Sequence, residues 1–139
     1  MSPAGRCCDS NVMTATPIPV KIFLAEDSAM IRNRLAAMIA AHDMAIVGEA
    51  ETAQGSIEGI LAARPDVVVL DVQLLGGTGL QVLRAVRAAN PAIAFVVFSN
   101  NADPAYRKRY LGEGANRFLD KSTEFDQLVD AVHASRAMH

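Results

Sequence analysis

The chain has 139 residues, 51% of them apolar and 20% charged, with a formal net charge of −2. A chain of this length buries about two-thirds of its unfolded surface, so a single globular domain needs no disulfide or metal staple to fold. The charge balance excludes a basic field for nucleic acid, and no apolar run approaches the ~18 residues of a membrane span.

Residues 1–17 carry Pro3, Gly5 and Pro17 among small polar residues without periodicity. They read as a flexible leader ahead of one domain at 18–139, with Met13 as an alternative start. The leader lacks the apolar core of a signal peptide. Its neighbouring Cys7 and Cys8 cannot cross-link distant segments, and two ligands are too few for a metal site. A cytoplasmic protein is expected.

Val20–Ala25 reads as the first strand, closed by Glu26-Asp27. Ser28 caps a helix whose apolar stripe is Ile31, Leu35, Met38 and Ile39. Ala45–Ala50 is a second, shorter strand, and Ile57, Ile60 and Leu61 mark the buried stripe of the second helix. Val67-Val68-Val69-Leu70, after Pro65-Asp66, is an apolar, mostly β-branched run that reads as a central strand buried on both faces. Asp71 ends that strand and opens a glycine-rich loop. Leu80, Leu83 and Val86 then define a third helix, broken by Asn90-Pro91. Residues 92–98 form the fourth strand, ending at Ser99. Asp103-Pro104 starts the fourth helix, an N-cap followed by Pro at the first helical position, and that helix runs to about Leu111. Asn116–Leu119 is a short fifth strand followed by Lys121, and the last helix opens at Ser122-Thr123. Met30 and Met38 read as core filler, and His42, His133 and His139 as surface residues.

Strand and helix alternate five times, with connections too short for a second domain. Right-handed crossovers and the apolar third strand favour an α/β, doubly wound, flavodoxin-like (βα)5 fold of strand order 2-1-3-4-5. Strands one and three are then neighbours at the switch point, so Glu26, Asp27 and Asp71 meet at one end of the sheet. Ser99 and Lys121 reach the same edge from strands four and five. Taken singly, these residues read as capping acids, a loop acid or a solvated lysine; their joint placement points to one site.

Two carboxylates about 5 Å apart repel by roughly 3 kcal/mol at an effective dielectric near 20. Such a cluster holds a proton or recruits a cation, and an oxygen-only donor set suits Mg²⁺ shared with a phosphate. Lys121 is the compensating charge, and the Ser99 hydroxyl can hydrogen-bond an oxyanion. The set is suited to a phosphoryl group carried on Asp71 as carboxylate nucleophile.

From Val20 to about Ala137 the chain resembles the receiver domains of two-component response regulators. The resemblance rests on Glu26-Asp27, Asp71, Gly79 eight residues later, Ser99, and the segment Gly114–Lys121. It implies a stand-alone regulator that catalyses its own phosphotransfer from a histidine kinase's phosphohistidine to Asp71, and its own dephosphorylation. It implies Mg²⁺ or Mn²⁺ held by Asp27, Asp71 and the backbone carbonyl of Gln73, with Glu26 acting through water. Ser99 and Phe118 would be switch residues that move inward, and Gln73 and Asn100 would modulate the lifetime of the phosphorylated state. Asn100, where Ala or Gly is usual, is expected to obstruct the hydrolytic water.

Other departures from the family pattern carry expectations of their own. Leu75 stands where Pro is usual, implying a looser loop after Asp71. Ser122 follows Lys121 where Pro is usual, so a cis bond there would cost ~2.5–4 kcal/mol. Phe118 lacks the frequent Tyr hydroxyl. Its burial is worth ~1.5–3 kcal/mol, so its inward rotamer is expected to be populated before phosphorylation.

Because the sequence ends just past the fifth helix, output is expected through a protein partner on the helix 4–strand 5–helix 5 face, not through nucleic acid or membrane. Arg107, Lys108 and Arg109 would charge that face, and the chain would be a monomer or a phosphorylation-dependent dimer. Two other readings remain at this point. One is a degenerate receiver that signals without phosphorylation. The other is an FMN binder of the same strand order, against which stand the acidic Glu26-Asp27-Ser28 loop and the lack of Trp.

Overall fold

The computed structural model describes residues 19–42, 44–100 and 103–137. The predicted leader with Cys7, Cys8 and Met13, and His139, lie outside the described residues. The elements alternate as β1 (Val20–Ala25), α1 (Ala29–Ala40), β2 (Met44–Ala50), α2 (Ala53–Ala63), β3 (Val67–Asp71), α3 (Gly79–Ala89), β4 (Ala94–Ser99), α4 (Pro104–Gly112), β5 (Arg117–Asp120) and α5 (Leu128–Ala137). One parallel sheet of order β2-β1-β3-β4-β5 results, as expected from the alternation.

The sheet separates two apolar layers. Phe23, Val68, Leu70, Phe95 and Val97 face α2, α3 and Tyr110 of α4, whereas Ile22, Leu24, Val67, Val69 and Phe98 face α1 and α5. All five β3 residues are buried, because helices cover both faces. The helices start on the caps their sequences encode. The Ser28 hydroxyl accepts from Ile31 N–H, and the Asp103 carboxylate accepts from Ala105 N–H ahead of Pro104. Thr78 and Gln81 form a reciprocal capping box on α3.

Several local expectations are corrected. Met30 is 76% exposed, so it is not core filler; it sits at the first turn of α1, rotated away from buried Leu35 and Ile39. Leu61 is 38% exposed; α2 buries the expected Ile60 together with Ala53 and Ser56, and Ile57 only in part. β4 starts at Ala94, because Asn90 through Ala92 form a turn closed by Ala92 N–H on the Asn90 side chain. The last helix does not open at Ser122-Thr123. Asp120 binds the Ser122 N–H and hydroxyl, and a 3-10 turn at Phe125–Gln127 precedes α5. The Lys121–Ser122 bond is trans, since no described peptide bond is cis.

The segment after Asp71 is tighter than a Leu in place of Pro suggested. Gln73–Leu74 pairs antiparallel with Gly77–Thr78. The Leu75 N–H donates to Glu51 O at 3.0 Å, and Leu75 O accepts from Ala53 N–H at 3.0 Å. A proline could not make the first of these bonds. No helix among the described residues is long and apolar enough to cross a membrane.

Candidate functional site

Parallel pairing places the carboxyl ends of β1, β3, β4 and β5 on one edge. Ala25 pairs with Leu70, so Glu26 and Asp71, each next in its strand, are neighbours. Asp71 pairs with Phe98, one residue before Ser99. The Lys121 N–H donates to Ser99 O at 2.8 Å, which fixes the lysine backbone beside the end of β4.

The five expected residues converge on a cavity of about 540 Å³ that Gln73 and Asn100 also line. Glu26 and Asp71 are buried, at 2% and 7% exposure, while Asp27 is exposed. One carboxylate oxygen from each of Glu26, Asp27 and Asp71 lies within 4.8 Å of the others. Lys121 Nζ stands 2.6 Å from Glu26 Oε1 and 3.2 Å from Asp71 Oδ2. The Ser28 N–H donates to Glu26 Oε2 at 3.1 Å, and the Gln73 N–H reaches Asp71 Oδ1 at 3.5 Å.

Burial dominates the electrostatics of the two inner acids. Desolvation raises the Glu26 carboxyl to about 7 against the opposing pull of Lys121 and the Ser28 N–H. Burial also raises Asp71, with Lys121 again opposing. Lys121 is paired with two of the three clustered carboxylates, Glu26 and Asp71, so the donor set is short of positive charge. An all-oxygen cluster with one exposed member fits a hard divalent cation that keeps some of its water.

Gly79 explains itself by close approach. A Cβ on this residue would collide with the carbonyl oxygen of Asp71, and its N–H donates to Val72 O at 2.7 Å. The glycine therefore lets α3 begin directly against the Asp71 backbone.

Three residues at or near the site carried no functional expectation. Arg32 donates to Glu26 O at 2.7 Å and pairs with Glu49 and Glu51, pinning the acidic turn to β2. Met30 and Tyr106 line the cavity mouth from α1 and α4. A lone Arg, Met or Tyr in an amphipathic helix carries no sequence signal for such a role. Phe118 is buried, as expected, with its ring edge-on to Tyr110 at 5.9 Å. Arg107 departs from expectation: its guanidinium folds back onto Phe118 and Glu124, leaving Lys108 and Arg109 as the exposed basic residues of that run.

The family model described as response regulator receiver domain matches residues 22–133. This chain belongs to that family. The receiver domain is 32% identical over 120 residues to the nitrate/nitrite response regulator protein NarL of Escherichia coli K12, covering 86% of this chain and 56% of NarL. It is 27% identical to the transcriptional regulatory protein DesR of Bacillus subtilis, covering 83% of this chain and 57% of DesR. The chain thus spans little more than half the length of these curated relatives. Among solved structures, the signal receiver domain of the putative response regulator NarL from Mycobacterium tuberculosis superposes with a TM-score of 0.83 at 28% identity, covering 88% of this chain and all of that one. A two-component response regulator of the LuxR family from Aurantimonas also gives 0.83, at 26% identity and 87% coverage of both chains. The receiver domain is accordingly a module of two-component signalling.

Proposed function

We propose that Asp71 accepts a phosphoryl group from the phosphohistidine of a histidine kinase or phosphotransfer protein. The observation that carries this reading is Lys121, whose buried ammonium is held between Glu26 and Asp71 at the carboxyl end of the central strand. An Asp71 carboxylate oxygen attacks phosphorus, the P–N bond breaks, and its electron pair returns to the donor imidazole. Charge spreads over the equatorial oxygens of the transferring group, where Lys121 neutralises it and the Ser99 hydroxyl donates a hydrogen bond.

Asp27, Asp71 and the Gln73 backbone carbonyl would hold Mg²⁺ or Mn²⁺, with Glu26 acting through water, and the cation would neutralise phosphoryl oxygens. Asp27 keeps its exposed position at the mouth. Asn100 and Gln73 border the path of water to Asp71 and set the rate of hydrolysis. After transfer the Ser99 hydroxyl satisfies a new acceptor oxygen, and Phe118 is locked in the buried position beside β4 that it already holds. The changed α4–β5–α5 face then selects a protein partner. In this reading the receiver unit is 18–139, works in the cytoplasm, and gives its output through protein contact rather than nucleic acid.

Incubation with Mg²⁺ and a small acyl phosphate, followed by mass spectrometry, tests the assignment. One phosphoryl adduct on the wild-type chain and none on Asp71→Asn is the expected result. Stoichiometric labelling of the Asn variant would overturn it.

A further inference from the structure

Arg107 is a cation of α4 that does not line the acceptor cavity, yet it grips the switch segment at three points. Its Nη1 donates to Phe118 O at 2.7 Å, and its Nη2 lies 3.2 Å from Glu124 Oε1. The guanidinium carbon stands 5.1 Å from the centroid of the Phe118 ring. Glu124 Oε1 also accepts from Asp120 N–H at 3.0 Å, while the Glu124 N–H donates to Asp120 O at 2.8 Å. One planar fork thus ties α4 to the backbone and ring of Phe118 and to the turn that follows β5. That turn carries Lys121, whose N–H is bonded to Ser99 O.

We propose that Arg107 is a positioning residue of the receiver switch. By bridging Phe118 and Glu124 it holds the Phe118 ring buried before any phosphoryl group arrives, and so raises the affinity of Asp71 for that group. The proposal rests on the reading of Asp71 as acceptor and Phe118 as switch. The physical argument is linkage. If phosphoryl binding favours the state with Phe118 inside, apparent affinity scales with the fraction of molecules already in that state. A guanidinium suits this task because two of its N–H groups reach a carbonyl and a carboxylate while its plane lies against a ring. Lysine offers a single point charge and cannot span the same partners.

The test is NMR of the full chain with labelled aromatic rings, titrated with Mg²⁺ alone and then with beryllofluoride. The wild type, Arg107→Ala and Arg107→Lys are compared. In the wild type Phe118 gives one buried set of resonances without beryllofluoride. Both variants should show Phe118 moving toward a solvent-exposed or exchanging state and should bind beryllofluoride about threefold to tenfold more weakly. Their Mg²⁺ affinity should match the wild type, a pattern that simple loss of stability does not produce. Unchanged Phe118 resonances and unchanged beryllofluoride affinity in Arg107→Ala would overturn the proposal, whatever the melting temperature. If that variant fails to fold, Glu124→Gln loosens the same bridge from its other end and should shift both readouts in the same direction. Absence of beryllofluoride shifts around Asp71 in the wild type would instead overturn the acceptor reading. The Phe118 spectra without beryllofluoride would still decide the bridge.

Discussion

Lys121 Nζ is 2.6 Å from Glu26 Oε1, closer than the 3.2 Å that separates it from Asp71 Oδ2. The lysine is therefore shared, and Glu26 holds it more closely than Asp71 does. In the proposed transfer, any group that draws negative charge away from Glu26 would free Lys121 for the phosphoryl oxygens. Four measurable consequences follow from this geometry and its surroundings.

Burial raises Glu26 from its ordinary 4.5 to about 7. Between those values the folded chain keeps a proton that the unfolded chain has released, so folding stability falls as pH rises from about 4.5 to about 7. The same direction holds for Asp71, which burial also raises. Glu26→Gln removes one of the two titrations and should flatten the slope. Urea denaturation across this range without divalent cation measures it, and an unchanged slope in the variant would contradict the argument.

Asp27 is exposed and donates nothing to the core, so Asp27→Ala should leave stability within about 0.5 kcal/mol of the wild type. It removes one oxygen ligand from the cluster, and Mg²⁺-dependent NMR shifts should be lost or need at least about tenfold more cation. An unchanged Mg²⁺ titration would place the metal elsewhere.

Asn100 is exposed and lines the same cavity as Asp71, and we propose that it obstructs the water that hydrolyses the phosphorylated state. Asn100→Ala should shorten the phospho-Asp71 half-life by about twofold to tenfold, a barrier change of about 0.4–1.4 kcal/mol. The measurement is decay of the labelled chain after the donor is removed. A longer half-life would mean that the amide obstructs less than it orients.

Leu75→Pro restores the residue usual in the family and should nevertheless destabilise this chain. It deletes the N–H that donates to Glu51 O and leaves that acceptor to water. A loss of about 0.5–1.5 kcal/mol is expected from thermal or urea unfolding. Stabilisation would show that restricting the unfolded chain outweighs the bond.

Much of the fold was legible because burial on both faces writes itself into one continuous apolar run. Val67–Leu70 could only be a central strand, and a central strand followed by Asp71 places a carboxylate at a sheet edge. The caps at Ser28 and Asp103 were legible for a similar reason, since an orphan N–H needs a side-chain oxygen at a fixed offset. Gly79 carried a spacing but not its cause. Only the approach of α3 to the Asp71 carbonyl shows why a Cβ is excluded.

Side-chain direction was not legible. Met30 and Leu61 are as apolar as their buried neighbours, and periodicity alone could not say which edge of each stripe faces solvent. Arg107 sits in a basic run expected to charge the partner face, yet it turns inward because Phe118 O and Glu124 come to it from a later strand and turn. Chemistry carried by residue type and strand order could be read from the chain itself: the acids, the hydroxyl and the lysine. Which partner each charge selects, Glu26 for Lys121 and Phe118 for Arg107, depends on distances of a few ångströms between segments remote in sequence. Those distances exist only once the sheet has twisted and the helices have packed against it.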